Sequence, residues 1–148
     1  MKKIVLFLVL SMTPLTSWGE LPPQFVKAIK QTESGNRHGY IVGDSGKAIG
    51  ELQIHRSAWK DAVKFDKSIG GSYTNCFDYK YSVKILNAYA LKYERKAVIN
   101  NDFDVIAHLW NQGPNWRKNP KASHGYVLKV RSYLPKQIID NLSCHDTR

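Results

Sequence analysis

Between residues 24 and 34 the apolar positions Phe25, Val26, Ala28 and Ile29 recur at helical spacing, and Gly35 is a natural stop. Residues 39–54, GYIVGDSGKAIGELQI, read instead as short strands joined by tight glycine turns. A short helix is expected from Ser57, with Ala58, Trp59 and Ala62 inward, and Gly70-Gly71-Ser72 marks a loop. The longest amphipathic run covers residues 78–95, with Tyr79, Val83, Leu86, Ala90 and Tyr93 along one face. Another helix fits residues 103–110 through Val105, Ile106 and Leu109, and Asn111-Gln112-Gly113-Pro114 breaks it. A last helix fits residues 124–133 and ends before Pro135, leaving residues 135–148 as a polar, loosely held tail. With no internal repeat or linker, the pattern predicts one helix-dominated α+β domain over residues 20–134, with a small Gly-rich β-hairpin region beside the helical body.

The first residues change where that domain is expected to work. Lys2 and Lys3 precede an apolar run over residues 4–10, and Ser17-Trp18-Gly19 supplies small residues at a cleavage site. This is the pattern of a secretory signal peptide over residues 1–19, too short to span a membrane well. The protein is therefore expected in the periplasm or outside the cell, with no stable membrane anchor after cleavage. Cys76 and Cys144 lie beyond the leader. In an oxidising compartment they could pair across a long loop, constraining the unfolded chain by about 4 kcal/mol, or stand as two separate thiols.

The net charge of +10, from 22 Lys and Arg against 12 Asp and Glu, favours anionic partners. Of nucleic acid, an anionic membrane surface and cell-wall polymer, export makes nucleic acid the least suitable, and the charge alone decides nothing further. His55, His108 and His124 show no metal-ligand spacing. Ser57 and Ser123 lack an evident His/Asp arrangement for nucleophilic catalysis, and no phosphate-binding loop is present. No cofactor or metal is expected.

Glu33 is the residue that stands out. It follows Val26 by seven positions and Ile29 by four, so on a helix it falls on the apolar stripe. It also lies at the negative end of the helix dipole. Desolvation and that dipole both disfavour the carboxylate, and a carboxyl kept protonated near neutral pH is what a general acid needs. The ordinary alternative is a helix-end glutamate that bends out to water.

The motifs around Glu33 carry a resemblance. Glu33-Ser34-Gly35 is followed by GKAIGELQI at residues 46–54, HLWNQGP at 108–114 and YVLKV at 126–130. This ordered set resembles the lysozyme superfamily, particularly the transglycosylase SLT-like enzymes that cut peptidoglycan. The GKAIGELQIHRSAWKDA stretch, with WNQGP after it, is also similar to the invertebrate-type lysozymes. The resemblance covers residues 24–131 and implies a lysozyme-like fold.

It also implies roles. Glu33 would protonate the glycosidic oxygen between N-acetylmuramic acid and N-acetylglucosamine. Gln53 would line the cleft, and Gly50 would let the backbone approach a sugar. Asn111 would bind sugar or support Glu33, its alternative being a helix cap. Tyr126 would hydrogen-bond near the acid, its alternative being a core aromatic. Trp110 stands where the family usually has Tyr, and Glu51-Leu52 where it has Leu-Met. Trp110 and Trp116 flank the motif loop as sugar platforms or as core.

The second carboxylate decides the chemistry. Glycoside hydrolases generally use two carboxyl groups, whereas a lytic transglycosylase needs only the acid/base, because the muramic acid 6-hydroxyl attacks internally. Asp44, in Gly43-Asp44-Ser45-Gly46, is either a second catalytic group or a turn former. Glu51 is a further candidate. Lytic transglycosylation is the leading expectation, hydrolysis by Glu33 and Asp44 the runner-up. A catalytically silent wall-binding protein is the rival from another class. The partner expected is the peptidoglycan glycan strand, bound by a monomer.

Overall fold

The computed structural model describes residues 19–143, with side chains described as far as residue 139. The expected leader, apart from Gly19, and Cys144 lie outside the described residues.

Helix α1 (Pro23–Ser34) starts on a proline at its first turn, where no amide partner is needed, and stops at Gly35 in the left-handed region. Three two-residue strands follow: β1 (Val42–Gly43), β2 (Ala48–Ile49) and β3 (Ile54–His55). They form one antiparallel sheet in chain order, pairing Val42 with Ile49 and Ile49 with Ile54. α2 (Arg56–Phe65) leads to a 3-10 turn over Tyr73–Phe77 and then to the long helix α3 (Tyr79–Asn100). α4 (Phe103–Gln112), two 3-10 turns (Trp116–Lys118 and Pro120–Ser123), α5 (His124–Ser132) and α6 (Lys136–Ser143) complete the described chain.

The core is one cluster in which Phe25, Ile29, Leu52, Ile54, Ile85, Leu86, Ile106 and Leu109 are fully buried. Phe25 of α1 stacks on Phe103 of α4 with ring centroids 4.7 Å apart. α3 is the central element, packed by α2 and by α4, while α5 lies across α1 and α4. That position explains one departure from the single face expected on α3. Leu86 and Ala90 are fully buried, but so are Ile85 and, almost, Ala88 and Tyr89. Tyr79, Val83 and Tyr93 are only partly covered. A helix with neighbours on both sides buries a broader band than one amphipathic stripe.

Boundaries moved for local reasons. Asp78 caps α3 by accepting the Tyr81 amide at 2.7 Å, and the helix runs past residue 95 to Asn101, whose φ is +55°. It is broken internally at Glu94 (φ −135°, ψ 46°), whose carboxylate takes the Trp116 indole and the Arg117 guanidinium. α4 extends through Asn111 and Gln112 and stops only at Gly113. The segment expected as a loose tail forms α6, whose Ile138 and Ile139 pack against the core. Two adjacent isoleucines between polar residues make too short an apolar pattern to mark a helix.

The glycine turns hold the sheet against the helices. Gly50 has φ +76°, and a Cβ there would lie 1.9 Å from the Cys76 carbonyl oxygen. Gly35 also has a positive φ, +61°, but open space around it. Gly35→Ala should therefore cost about 1 kcal/mol of backbone strain alone, and Gly50→Ala about 2–4 kcal/mol, since overpacking is added to strain. Urea unfolding midpoints of the two variants check this; equal losses would contradict the packing at Gly50.

Candidate active site

α1 delivers Glu33 one residue before its end. Val26 and Ile29 on the same side are buried, so the helix cannot rotate to free the carboxyl without exposing its stripe. Opposite it stands α5. The Tyr126 hydroxyl donates a 2.6 Å hydrogen bond to Glu33 Oε1. Lys129, one turn further along α5, donates from Nζ to the Thr32 carbonyl at 3.3 Å, placing a cation at the negative end of α1. The Trp110 indole, near the end of α4, also favours the Glu33 carboxylate, more weakly than these two.

Burial pushes the Glu33 carboxyl above its ordinary 4.5. The Tyr126 hydrogen bond, the Lys129 charge and the Trp110 indole all pull the other way without cancelling it. The Tyr126 phenol is pushed well above its ordinary 10.0 by burial first, then by the Glu33 charge and hydrogen bond, so it stays a donor. The arrangement can hold a proton on Glu33 and still tolerate its loss.

Gln53, Trp110 and Asn111 meet around a cavity of about 210 Å³, shared with His55, Gln112 and Gly113. Trp110 belongs to both groups: it favours the Glu33 carboxylate and walls this cavity, braced edge-on by Tyr89 at 5.8 Å. Asn111 is exposed within the last turn of α4, not at its cap, which is Gly113. Gln53 sits in the left-handed region (φ +50°), its side-chain Nε2 donating to the Gly50 carbonyl at 2.8 Å. Amides, a hydroxyl-bearing aromatic and an indole are suited to a neutral, polyhydroxylated ligand. A larger groove of about 1260 Å³ lies elsewhere, between the start of α1, residues 65–69 and α3, and includes none of these residues.

Other candidates are placed differently. Asp44 is exposed in the 3-10 turn Asp44–Gly46, with φ +47°, and its carboxylate lies 3.6 Å from His55 Nε2. Glu51 is withdrawn from chemistry. It is 6 % exposed and forms an ion pair with buried Lys30 at 2.5 Å, with the Gly39 amide and His38 nearby. Burial alone would raise its pKa, but the Lys30 and Gly39 hydrogen bonds and the Lys30 and His38 charges bring it below the ordinary value.

The close approach that Gly50 permits is internal, to the Cys76 carbonyl, rather than to a sugar. Cys76 itself is fully buried, its thiol pushed up to about 12 by desolvation; its pairing with Cys144 rests on a residue outside the described ones.

Ser123 does meet a histidine, contrary to the sequence pattern: its Oγ lies 2.5 Å from His108 Nδ1. At 1 % exposure it has no access to a substrate, and it also receives the Gln112 amide, so the pair fastens α4 to the turn before α5. Trp116 is core, stacked between the His108 ring and the Arg117 guanidinium. Among the described residues no group of three His, Cys, Asp or Glu is placed to hold a metal.

Sequence reasoning missed Lys129, although its place one turn after Tyr126 on a helix was a usable signal. It also missed the Lys30–Glu51 pair, because a hydrophilic residue in an apolar motif position gives no sign of its partner.

Comparison with known proteins agrees with this architecture. No protein-family model matches the sequence. Over 121 residues it is 29 % identical to Lysozyme 1 of Crassostrea virginica, an alignment covering 78 % of this chain and 61 % of that protein. The chain thus spans about three fifths of the length of that relative. Its backbone is similar, with a TM-score of 0.59 and 22 % identity, to a chain in the crystal structure of Aeromonas hydrophila PliI in complex with Meretrix lusoria lysozyme. That likeness covers 76 % of this chain and 89 % of the other. The helical body and small antiparallel sheet thus make a helix-dominated α+β, lysozyme-like fold, and the sequence is similar to that of a lysozyme.

Proposed function

We propose that the protein is an exported muramidase that cleaves the β-1,4 bond between N-acetylmuramic acid and N-acetylglucosamine, by lytic transglycosylation. The observation that carries this reading is Glu33 itself. Among the described carboxyls held away from their ordinary range, Glu51, Asp61 and Glu94 are lowered and Glu33 alone is raised. It has a tyrosine donor on one oxygen and a tryptophan shared with the neighbouring cavity.

In this reading residues 20–134 form the catalytic domain, without cofactor. Glu33 gives its proton to the glycosidic oxygen as the C1–O bond breaks, leaving oxocarbenium-like charge on the muramic acid. The resulting carboxylate then takes the proton from the 6-hydroxyl of the same sugar as that oxygen closes on C1. The 1,6-anhydro product forms and the acid is regenerated in a balanced cycle: one C–O bond breaks, one forms, and a proton returns to Glu33. Tyr126 and Lys129 stabilise the intermediate carboxylate. Gln53, Trp110 and Asn111 hold the strand, and the basic surface favours anionic wall polymer over other partners. The protein acts as a monomer in the periplasm or outside the cell; no described helix is long and apolar enough to cross a membrane.

A second reading is hydrolysis with Asp44 as the second carboxylate, favoured by the relationship to a protein named lysozyme. Mass spectrometry of muropeptides released from purified peptidoglycan separates the two. Anhydro sugars are expected; reducing ends, about 18 mass units heavier, would give the reaction to Glu33 and Asp44. Glu33→Gln should lower release about 10²–10⁴-fold; undiminished release would remove Glu33 from the mechanism, and no release by the wild type would leave a wall-binding protein.

Two pH effects follow from the site. Tyr126→Phe deletes a bond that favours the carboxylate, so the alkaline limb of the rate profile should move to higher pH, and a shift to lower pH would contradict the assignment. Stability carries the opposite sign of information. A group whose folded pKa is raised contributes stability that is complete below the unfolded value and lost as pH rises through the folded value. Glu33→Gln, always neutral, should therefore unfold at a higher temperature than wild type at pH 7–8, with the gap closing below 4.5. A constant gap across that range would show that the carboxyl is not raised.

A further inference from the structure

Gln53 is held in an unusual way, and the reason lies in a residue that no catalytic motif marks. Its backbone is left-handed, and the Gly50 carbonyl accepts both its main-chain amide at 3.1 Å and its side-chain Nε2 at 2.8 Å. The side chain is thereby folded back towards the first strand. There it lies over Gly43: a Cβ on Gly43 would fall 1.8 Å from Gln53 Oε1 and 2.9 Å from its Cδ. Gly43 itself has φ −134° and ψ −178°, extended backbone open to any residue. The glycine is not needed for the turn; what it provides is room.

We propose that Gly43 is a positioning residue for the candidate cleft: the absence of its side chain is what allows the Gln53 amide to lie locked on the Gly50 carbonyl, as a fixed wall of the 210 Å³ cavity it shares with Trp110 and Asn111. This rests on the muramidase reading for its functional consequence, though not for its structural one. The lock fixes which way the amide presents its donor and acceptor, and a pre-set amide spares a bound sugar the cost of ordering it.

The geometry makes Gly43→Ala a clean test. The strand backbone accepts alanine, and the three atoms nearest the new methyl all belong to the Gln53 amide, the movable end of a flexible side chain. Gly46→Ala is the control. It strains the same hairpin, at φ +91°, but meets nothing within 4 Å.

In the free protein, the Gln53 side-chain amide signals in ¹⁵N NMR should move towards those of an exposed glutamine in Gly43→Ala and stay in place in Gly46→Ala. On solubilised glycan strands, Gly43→Ala should raise KM about 3–10-fold, the scale of one lost amide hydrogen bond, with kcat within about twofold. In a Gln53→Ala background Gly43→Ala should change KM by less than about 1.5-fold, because the group it displaces is gone. Unmoved Gln53 signals, or a Gly43→Ala effect that persists undiminished without Gln53, would overturn the proposal. If the wild type turns over no glycan, the muramidase reading fails, and the NMR comparison still decides the lock.

Discussion

The burial of α1 is the constraint on which the site depends. Phe25, Val26 and Ile29 commit the helix to one rotation in the core, and that rotation carries Glu33 along the same line to the crossing with α5. A carboxyl there loses water that it would keep on the opposite face. Its pKa rises, and the ionised form is tolerated only because Tyr126, Lys129 and Trp110 converge on it from two other helices. Packing that stabilises the fold and electrostatics that destabilise one charge are thus the same contact seen twice.

The sheet is tied to that helix by a second polar arrangement. Lys30, one turn before Glu33 on α1, reaches buried Glu51 in the turn between β2 and β3, and Gly39 and His38 close around the carboxylate. Removing either partner would leave an uncompensated buried charge, although the intact pair adds little net stability. Beyond it the backbone is held in costly conformations: Asp44, Ser45 and Gln53 all have positive φ without being glycine. Such residues persist only where surrounding structure enforces them. Here the enforcement is visible at Gln53, in its two bonds to Gly50 and its seat over Gly43.

What could be read in the sequence follows the range of the forces involved. α1, α4 and α5 were legible because their apolar spacing and their Gly, Asp and Pro boundaries are local properties of the chain. Glu33 was legible for the same reason, as a stripe position at a helix end. Its hydrogen bond to Tyr126 spans 93 residues, and only the ordered motifs brought the two together in advance. The break in α3 at Glu94 had no local signal, since its cause is the distant Trp116 and Arg117. Glu51 and Gly50 were misread for one reason: each sits in a motif that borders the cleft, while its own partner, Lys30 or the Cys76 carbonyl, lies behind it. Gly43 looked like a turn glycine, and its role is steric.

The most direct test of the raised, protonated acid is a ¹³C NMR titration of the Glu33 side-chain carboxyl in the wild-type protein, assigned by its loss in Glu33→Gln. A midpoint clearly above 4.5 is the predicted result, with the Tyr126 hydroxyl proton responding to the same transition. A midpoint at or below 4.5 would contradict it, leaving Glu33 an ordinary carboxylate at the end of a helix.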